Sequence, residues 1–360
     1  MIHMAKPFLG NEEKDAVCKV IDSGMIANGA VVTEFEQKFA AYIGTKYGIA
    51  TTSGTTALEV AFRALGVGAG DKVLTTPFSF IASTNSIVYA GATPVFADIE
   101  QDSFNIDPVK AEEVLKSTDG IKAILIVHLF GQACNMDAWC DLAKKYNVFL
   151  VEDCAQCHGS TWKGKTTGSF GDASCYSFYP TKNMATGEGG IVLTNNEEVA
   201  EKAKLLINHG MKIRYYHDIV GYNYRMTNIA GAIGLCQLAK LPAMNANRKK
   251  AADYYTANIK NKLVTTPQAT DGHVYHQYTL KIADALRDKF VEHLTDNGIG
   301  HGIFYPLTIP EQKCYANLGF KTDYTVADQI KTEVVSIPVH PSLTDDEIAQ
   351  VVNVINAFNA

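Results

Sequence analysis

The sequence has no apolar run long enough to cross a membrane, and its first residues lack the pattern of a secretion signal. The longest apolar stretches, such as Ala123–Val127, fall far below the roughly 20 residues of a membrane helix. The start of the chain is charged and contains no apolar segment that leads to small residues. We therefore expect a cytoplasmic protein with no membrane partner.

The sequence also lacks a cluster of basic residues and a regular spacing of cysteines. Its 32 Lys and Arg residues against 38 Asp and Glu residues give a formal net charge of −6, which argues against nucleic acid as a partner. The eight cysteines are scattered, so we interpret them as free thiols of a reducing compartment. With 47% hydrophobic residues, the chain has a globular composition, and its 360 residues are enough for one or two domains.

Between about residues 45 and 210, short β-branched runs alternate with amphipathic helical stretches. This alternation predicts an α/β fold with a mainly parallel sheet that helices cover on both faces. The predicted strands are Tyr47–Thr51, Lys72–Thr75, Pro94–Ile99, Ala123–Leu129, Val148–Glu152, Ser174–Phe178 and Gly190–Thr194. The predicted helices are Thr55–Leu65, Ile81–Ala90, Pro108–Ser117 and Met136–Tyr146.

The pattern changes after Leu241-Pro242, where a smaller α+β domain is predicted to begin. We place a large domain at residues 1–245 and a small domain at residues 246–360, with the N-terminal segment as a candidate to pack on the small one. The small domain is predicted to contain helices Asn247–Ile259, Ala283–Asn297 and Thr344–Phe358, and strands Tyr278–Ile282 and Val334–Ile337.

The segment Thr51-Thr-Ser-Gly-Thr-Thr56 lies between a predicted strand and a predicted helix. Its small residues allow close approach of the backbone, and its hydroxyls beside free helix N–H groups favour an anion such as phosphate. The alternative is simple capping of the helix by Ser53 or Thr55. The segment has neither the lysine of a Walker loop nor a GxGxxG motif, which argues against ATP and NAD.

An apolar strand runs into Glu152-Asp153, which predicts a carboxylate at the sheet edge where open α/β sheets bind ligands. The alternative is that either acid caps the following turn. Cys154-x-x-Cys157-His158 also matches the attachment pattern of c-type haem. We reject that interpretation because the segment directly follows a buried strand in a protein without an export signal. No second Cys/His pair has the spacing of zinc ligands, so we expect no metal site.

Lys182 follows a predicted strand in a loop that Pro180 and nearby glycines keep irregular. The alternative is an ordinary solvated lysine. The neighbours of Lys182 are apolar or small, and a desolvated lysine has a lowered pKa and can form a Schiff base. A phosphate cradle, a strand-end Asp and a glycine-flanked lysine, in that order, are what pyridoxal 5′-phosphate requires.

Several segments together resemble one known family. They are AKPFLGNEE, SGTTALEVA, TPFSFIASTNSI, VEDCAQCHG, SFYPTKNMATGEGG, GYNYRMTNIAGAIG, HVYHQYTLKI and SIPVHPSLTDDEI. Nearly from end to end, the chain resembles the DegT/DnrJ/EryC1/StrS sugar aminotransferases. The resemblance implies a fold type I enzyme dependent on pyridoxal phosphate, with a mainly parallel seven-stranded sheet and a smaller C-terminal α+β domain. It also implies a homodimer with shared active sites.

The resemblance also implies a role for each matching residue. Lys182 would form the Schiff base with the cofactor and move the proton, Asp153 would pair with the ring nitrogen, and Gln156 would bind the phenolic oxygen. Phe80 would stack on the ring, although ordinary core packing is the alternative. The residues implied to bind the phosphate are Gly54, Thr55, Thr56, Ser177 and, from the neighbouring subunit, Asn223, for which a local turn role is the alternative.

The implied reaction moves an amino group from Glu or Gln to the 3- or 4-keto group of a nucleotide-linked sugar, in polysaccharide or antibiotic sugar biosynthesis. One alternative is the same reaction on a keto-cyclitol of aminoglycoside type. A sugar dehydratase is a second alternative, but relatives of that kind replace the lysine with histidine. A non-catalytic regulatory protein is a third. Phe304-Tyr305-Pro306 replaces the His-Tyr-Pro of many relatives, which leaves the substrate open.

Overall fold

A seven-stranded sheet forms the centre of the larger part of the chain, in a computed structural model that describes residues 1–268, 270–283 and 285–359. In chain order the strands of the protein are β1 (Tyr47–Thr51), β2 (Lys72–Thr75), β3 (Thr93–Phe96), β4 (Ile121–Val127), β5 (Phe149–Asp153), β6 (Thr161–Trp162), β7 (Lys165–Thr166), β8 (Ala173–Ser177), β9 (Gly190–Thr194), β10 (Met211–Ile213), β11 (Tyr216–His217), β12 (Val264–Thr265), β13 (Tyr278–Ile282) and β14 (Val334–Ile337).

The α-helices cover this sheet and build most of the C-terminal part. In chain order they are α1 (Asn11–Asp22), α2 (Ala30–Ile43), α3 (Gly54–Ala64), α4 (Ala82–Tyr89), α5 (Pro108–Ser117), α6 (Met136–Tyr146), α7 (Glu197–Ile207), α8 (Asn228–Asn258), α9 (Arg287–Asp296), α10 (Thr325–Glu333) and α11 (Asp345–Ala357). In the part of the chain that the structure describes, none of them is both long and apolar enough to cross a membrane.

The strand order of the large sheet is β1-β9-β8-β5-β4-β2-β3. Neighbouring strands are parallel except in the two pairs that involve β9. The prediction of an α/β fold with a mainly parallel seven-stranded sheet is therefore confirmed. In β5, Asp153 is paired with Val127 of β4 and with Cys175 of β8, so it lies at the carboxyl edge of the sheet.

β4 illustrates why both faces of the sheet are buried. Ala123 and Leu125 pack into one hydrophobic core with α3 and α7, whereas Ile124 and Ile126 pack into a second core with α5 and α6. Successive side chains of a strand point to opposite faces, so an uninterrupted apolar run fits a strand that is covered on both sides.

The C-terminal part contains the antiparallel sheet β12-β13-β14, which packs with α9, α11 and the end of α8 around a hydrophobic core of its own. Ile2 joins this core, and it pairs with Ile299. The N-terminal segment therefore packs on the C-terminal part. We propose the division into residues 1–245 and 246–360 on the basis of this separate core, and the division falls within α8.

Helix α8 differs most from the sequence prediction. A helix was predicted to begin at Asn247, and this start is wrong because α8 begins at Asn228 and continues through Pro242. Proline has no N–H group and weakens a helix interior. Leu241 and Met244 on either side of it are buried in a hydrophobic core, so tertiary packing outweighs the local preference.

Most other elements of the C-terminal part follow their predictions. The strands Tyr278–Ile282 and Val334–Ile337 are confirmed as β13 and β14, and the predicted helix Thr344–Phe358 is α11, with Thr344 as its N-cap. The predicted helix Ala283–Asn297 is shorter in the structure, where it is α9, and Asp284 lies outside the described residues.

Candidate active site

A cavity of about 420 Å³ opens at the carboxyl edge of the large sheet, and residues of the N-terminal segment and of the C-terminal part complete its wall. A volume of this size is ordinary for a small-molecule site. The cavity brings together most of the residues singled out from the sequence, namely Gly54, Thr55, Phe80, Asp153, Gln156, Ser177 and Lys182. Thr56 and Asn223 do not line it.

Asp153 reaches this cavity from the end of β5. Its Oδ2 accepts a hydrogen bond from the Ser83 hydroxyl at 2.7 Å, and its Oδ1 accepts one from the backbone N–H of Ala155 at 3.0 Å. Burial raises the pKa of this carboxyl, whereas the hydrogen bonds and the charge of Lys182 favour its ionised form. A buried carboxylate with spare lone pairs is suited to bind a protonated ring nitrogen.

Glu152, the preceding residue, is directed to the opposite face of the sheet. Its carboxylate accepts hydrogen bonds from three backbone N–H groups of the 168–171 loop at 2.7–2.9 Å, and it contacts Nε2 of His128 at 3.0 Å. Burial acts to raise the pKa of Glu152, but these hydrogen bonds hold it below its ordinary value. Glu152 therefore anchors a loop, and Asp153 is the acid that faces the cavity.

Lys182 lies in the loop between β8 and β9, next to a firmly held asparagine. The Nδ2 of Asn183 donates hydrogen bonds to Oδ1 of Asn245 at 2.9 Å and to the carbonyl of Val274 at 3.0 Å. Burial lowers the pKa of Lys182 to about 8, although the charge of Asp153 acts in the opposite direction. An amine with this pKa is partly unprotonated near neutral pH, where it can attack a carbonyl carbon.

The N-terminus of α3 forms another part of the cavity wall. Ser53 is the N-cap, and its hydroxyl accepts a hydrogen bond from the backbone N–H of Thr56 at 3.2 Å. The Thr56 hydroxyl is itself engaged with Ser53, so its part in a phosphate site stays a prediction. Gly54 and Thr55 line the cavity, and a Cβ atom on Gly54 would lie 2.6 Å from Cβ of Ser177. This close approach places Ser177 beside helix N–H groups that suit an anion.

Gln156 connects the edge of the sheet with the C-terminal part. Its Oε1 accepts a hydrogen bond from the backbone N–H of Phe130 at 2.8 Å, and its Nε2 donates one to the hydroxyl of Tyr305 at 3.2 Å. The ring of Phe80 lies 6.2 Å from that of Tyr305 and is 55% exposed. Phe80 thus belongs to the cavity wall, which does not fit the alternative of ordinary core packing.

Asn223 is exposed and lies outside the cavity of its own chain. The flanking residues Tyr222 and Tyr224 stack on each other with ring centroids 4.8 Å apart and pack against a hydrophobic core. Asn223 itself forms a backbone bridge with Asn208. Its predicted role requires a second subunit, so that role stays a prediction.

A buried group of His128, Cys154 and Cys157 has its potential ligand atoms within 4.8 Å of one another. The Nδ1 of His128 accepts a hydrogen bond from the backbone N–H of Cys134 at 3.0 Å, so its Nε2 carries the ring hydrogen and donates it to Glu152. Both nitrogens are thereby used. This imidazole has no free lone pair to offer a metal ion in the observed arrangement.

Sequence reasoning assigned no role to three side chains that line the cavity: Ser83, Tyr305 and His276. Because Nδ2 of Asn183 donates to two carbonyl oxygens, its Oδ1 faces Nδ1 of His276 at 3.3 Å, which leaves Nε2 of His276 as an acceptor. None of the three has a local sequence signal that points to its partner. Ser83 lies in the first turn of α4, whereas Phe80 precedes that helix.

These residues fit pyridoxal 5′-phosphate. The donors at the start of α3 suit its phosphate, the buried carboxylate of Asp153 suits its ring nitrogen, and the amine of Lys182 suits its aldehyde. The cavity is large enough for the cofactor and for part of a substrate.

Comparisons with known proteins agree with this geometry. Residues 7–356 match the sequence profile of the DegT/DnrJ/EryC1/StrS aminotransferase family. The GDP-perosamine synthase of Caulobacter vibrioides is 39% identical, over 98% of this chain and 96% of that protein. The dTDP-3-amino-3,6-dideoxy-alpha-D-galactopyranose transaminase of Aneurinibacillus thermoaerophilus is also 39% identical, over 96% of this chain and 95% of that protein.

Among solved structures, the Helicobacter pylori aminotransferase involved in the biosynthesis of pseudoaminic acid superimposes with a TM-score of 0.94. It is 29% identical, and the match covers 98% of each chain. The likeness therefore extends through both parts of the fold.

Proposed function

This chain belongs to the DegT/DnrJ/EryC1/StrS aminotransferase family, and we propose that it transfers an amino group from Glu or Gln to a keto group of a nucleotide-linked sugar. It is an aminotransferase dependent on pyridoxal 5′-phosphate. The observation that carries the proposal is the joint placement of Asp153 and Lys182 in one cavity. When bound, the cofactor supplies an aldehyde for the amine and a ring that withdraws electrons.

Each residue has a task that follows from its contacts. The carboxylate of Asp153, held by two hydrogen bonds, would keep a proton on the ring nitrogen of the bound cofactor. Lys182, whose pKa is lowered to about 8 by burial, has an Nζ that can hold a proton and release it near neutral pH. The N–H groups at the start of α3 and the hydroxyl of Ser177 would bind the phosphate, and Phe80 would pack against the ring.

Two relatives named for nucleotide-linked amino sugars support the choice of substrate. The cavity supports it less directly through its charge. A nucleotide sugar and the donor amino acid both carry negative charges, yet among the described residues that line the cavity Lys182 is the only lysine or arginine. Binding of these anions would therefore be favoured by further cations from outside this cavity.

We propose that they come from a second copy in a homodimer, which would also supply Asn223 to the phosphate. Large apolar side chains at the surface support an interface of this kind, because a soluble chain alone gains nothing from exposing them. Those at least half exposed include Leu9, Met25, Ile26, Ile213, Tyr215, Tyr216 and Val220. We place no residue of this surface in the site beyond Asn223.

The test is a transamination assay with defined products. The protein loaded with pyridoxal 5′-phosphate is incubated with Glu or Gln labelled with ¹⁵N at the transferable nitrogen, and with a panel of 3- and 4-keto nucleotide sugars and keto-cyclitols. We expect labelled nitrogen in an amino sugar nucleotide by mass spectrometry, and none with Lys182→Ala. A labelled cyclitol would change the substrate class, and a dehydrated sugar without nitrogen would contradict the proposal.

A further inference from the structure

Ser83 lies in the first turn of α4 and is in direct contact with Asp153. Its hydroxyl is buried, lines the cavity and donates to Oδ2 of Asp153 at 2.7 Å across 70 residues of sequence. Hydrogen bonds to an ionised carboxylate are short and strong, and 2.7 Å lies within the range for such a contact. This bond is the only side-chain hydrogen bond to Asp153 among the described residues.

A second hydroxyl stands behind the first. The Oγ of Ser79 lies 3.2 Å from the Oγ of Ser83, and Ser79 is also buried. A hydroxyl has one hydrogen, and that of Ser83 is directed to Asp153, so Ser79 donates to Ser83. The chain of donors therefore runs in one direction, from Ser79 through Ser83 to the carboxylate, and each bond polarises the next.

Ser79 and Ser83 lie in the same segment as Phe80, the residue predicted to stack on the cofactor ring. The backbone N–H of Ser83 donates to the carbonyl of Phe80 at 3.2 Å, which closes a turn with Phe80 on the cavity wall. Phe80 and the hydrogen-bond partner of Asp153 therefore belong to one hydrogen-bonded turn. The segment 79–83 thus ties the two predicted contacts of the cofactor ring to each other.

Burial works against the charge of Asp153, and the hydrogen bond from Ser83 favours it. We propose that Ser83, with Ser79 behind it, is a positioning residue that keeps the Asp153 carboxylate ionised and aimed at the ring nitrogen of the cofactor. This inference rests on the proposed role of Asp153. It adds a requirement of its own, which is that binding of the ring nitrogen depends on a hydroxyl at position 83.

The experiment compares two ligands that differ only at the ring nitrogen. Cofactor-free protein is titrated with pyridoxamine 5′-phosphate, which forms no bond with Lys182, and with the analogue that has a C–H group in place of the ring nitrogen. The ratio of the two dissociation constants measures recognition of the nitrogen alone. We expect Ser83→Ala to reduce the preference for pyridoxamine phosphate by about tenfold, and Ser83→Thr to retain it.

Ser86→Ala is the matched control. Ser86 is buried in the same helix and donates to the backbone carbonyl of Ser83 at 2.8 Å, but it does not contact Asp153. An equal loss of affinity for both ligands in Ser83→Ala, or the same change in Ser86→Ala, would show a merely structural role and overturn the inference. Asp153→Asn separates the two proposals. If Asp153→Asn leaves the preference for pyridoxamine phosphate unchanged, the proposed role of Asp153 itself is refuted. If Asp153→Asn loses the preference and Ser83→Ala retains it, only the inference about Ser83 is refuted.

Discussion

Lys182 and Asp153 both occupy positions where burial disfavours their charged forms. Burial lowers the pKa of Lys182 to about 8 and raises the pKa of Asp153, and each residue pulls the other back toward its ionised form. A buried charge that is only partly compensated costs free energy of folding. The chain therefore carries its reactive groups at the expense of stability, as functional sites commonly do.

We expect Lys182→Met to stabilise the cofactor-free protein at pH 7. The pKa of Lys182 is lower in the folded protein than its ordinary value of 10.5, so folding must desolvate an ammonium that the unfolded chain exposes. Removing that charge should raise the free energy of unfolding by about 1–3 kcal/mol. Urea denaturation at pH 7 measures the difference.

The same variant has a defined dependence on pH. Between about pH 8 and 10.5 the folded parent has lost the proton while the unfolded chain still binds it, so the parent gains stability as the pH rises through this window. The advantage of Lys182→Met should therefore shrink toward pH 10.5. Lys202→Met, at an exposed position of α7, serves as the control. A constant advantage at all pH values would argue against desolvation as the cause.

We also expect reduction of the loaded protein with borohydride to attach the cofactor to Lys182 alone. The reason is the lowered pKa of this amine, which makes it a better nucleophile near neutral pH than an ordinary lysine. Peptide mass mapping identifies the modified residue. Lys182→Ala should give no reducible adduct, although pyridoxamine phosphate should still bind. An adduct on any other lysine would refute the assignment.

Helix α3 contributes to the site through the position of its first turn rather than through a reactive side chain. That turn lies against the end of β8 at Gly54 and Ser177, while the start of β9 lies against Ser53. A Cβ atom on Gly190 would lie 2.3 Å from the carbonyl oxygen of Ser53. Three backbone segments thus converge where the phosphate is expected, and glycine makes that approach possible.

Gly54→Ala should weaken the binding of pyridoxamine 5′-phosphate at least tenfold and destabilise the protein by about 1–3 kcal/mol. Alanine normally favours a helix over glycine. Here its Cβ would lie 2.6 Å from Cβ and 3.2 Å from Cα of Ser177, so the turn or the strand must move. Gly68→Ala is the control, because its Cβ meets only the carbonyl of Ala90 at 3.8 Å. Unchanged affinity in Gly54→Ala would refute this account of the turn.

The sequence predicted best those elements whose ends are set by local signals. The strand Tyr47–Thr51 and the helices Pro108–Ser117 and Met136–Tyr146 have the expected bounds. The two helices begin where predicted because Asp107 and Asn135 cap their first turns. The predicted helix was shorter than α8 because Pro242 is a local signal against a helix. Its continuation depends on packing with residues far away in sequence, which no local pattern contains.

The same distinction applies to the site. Lys182 and Asp153 could be found because the chemistry of a strand end and a glycine-rich loop is visible in adjacent residues. The Ser83 contact spans 70 residues of sequence, and the contact between Gln156 and Tyr305 spans 149. Neither has a signal in the neighbouring sequence, because only the folded chain brings these hydroxyls to their partners.

At the scale of the whole molecule, one subunit offers a single lysine or arginine among the described residues that line the cavity, although the proposed ligands are anions. We expect a mixture of Lys182→Ala and Asn223→Ala subunits to regain activity that neither variant has alone. If Asn223 acts across the interface, a mixed dimer contains one site with both defects and one site with neither. Equal mixing should then restore about a quarter of the sites, measured by transamination after subunit exchange.

Subunit exchange must be demonstrated independently, for example with two affinity tags. Recovery in the exchanged sample supports shared sites, and the extent of recovery should follow the fraction of mixed dimers. The absence of recovery despite demonstrated exchange would mean that Asn223 acts within its own chain. Tyr224→Phe is the matched control in the same segment, since that side chain packs inward on its own subunit.

The pairing of Ile2 with Ile299 has a consequence for synthesis on the ribosome. Met4 and Ala5, which line the cavity, are translated before the large sheet, but the segment that holds them in place is translated only after that sheet is complete. Contacts between such distant residues form late in folding. A nascent chain in which the phosphate-binding part of the cavity has folded therefore still has an incomplete cavity wall. We expect complete binding of the cofactor only after the C-terminal part has left the ribosome.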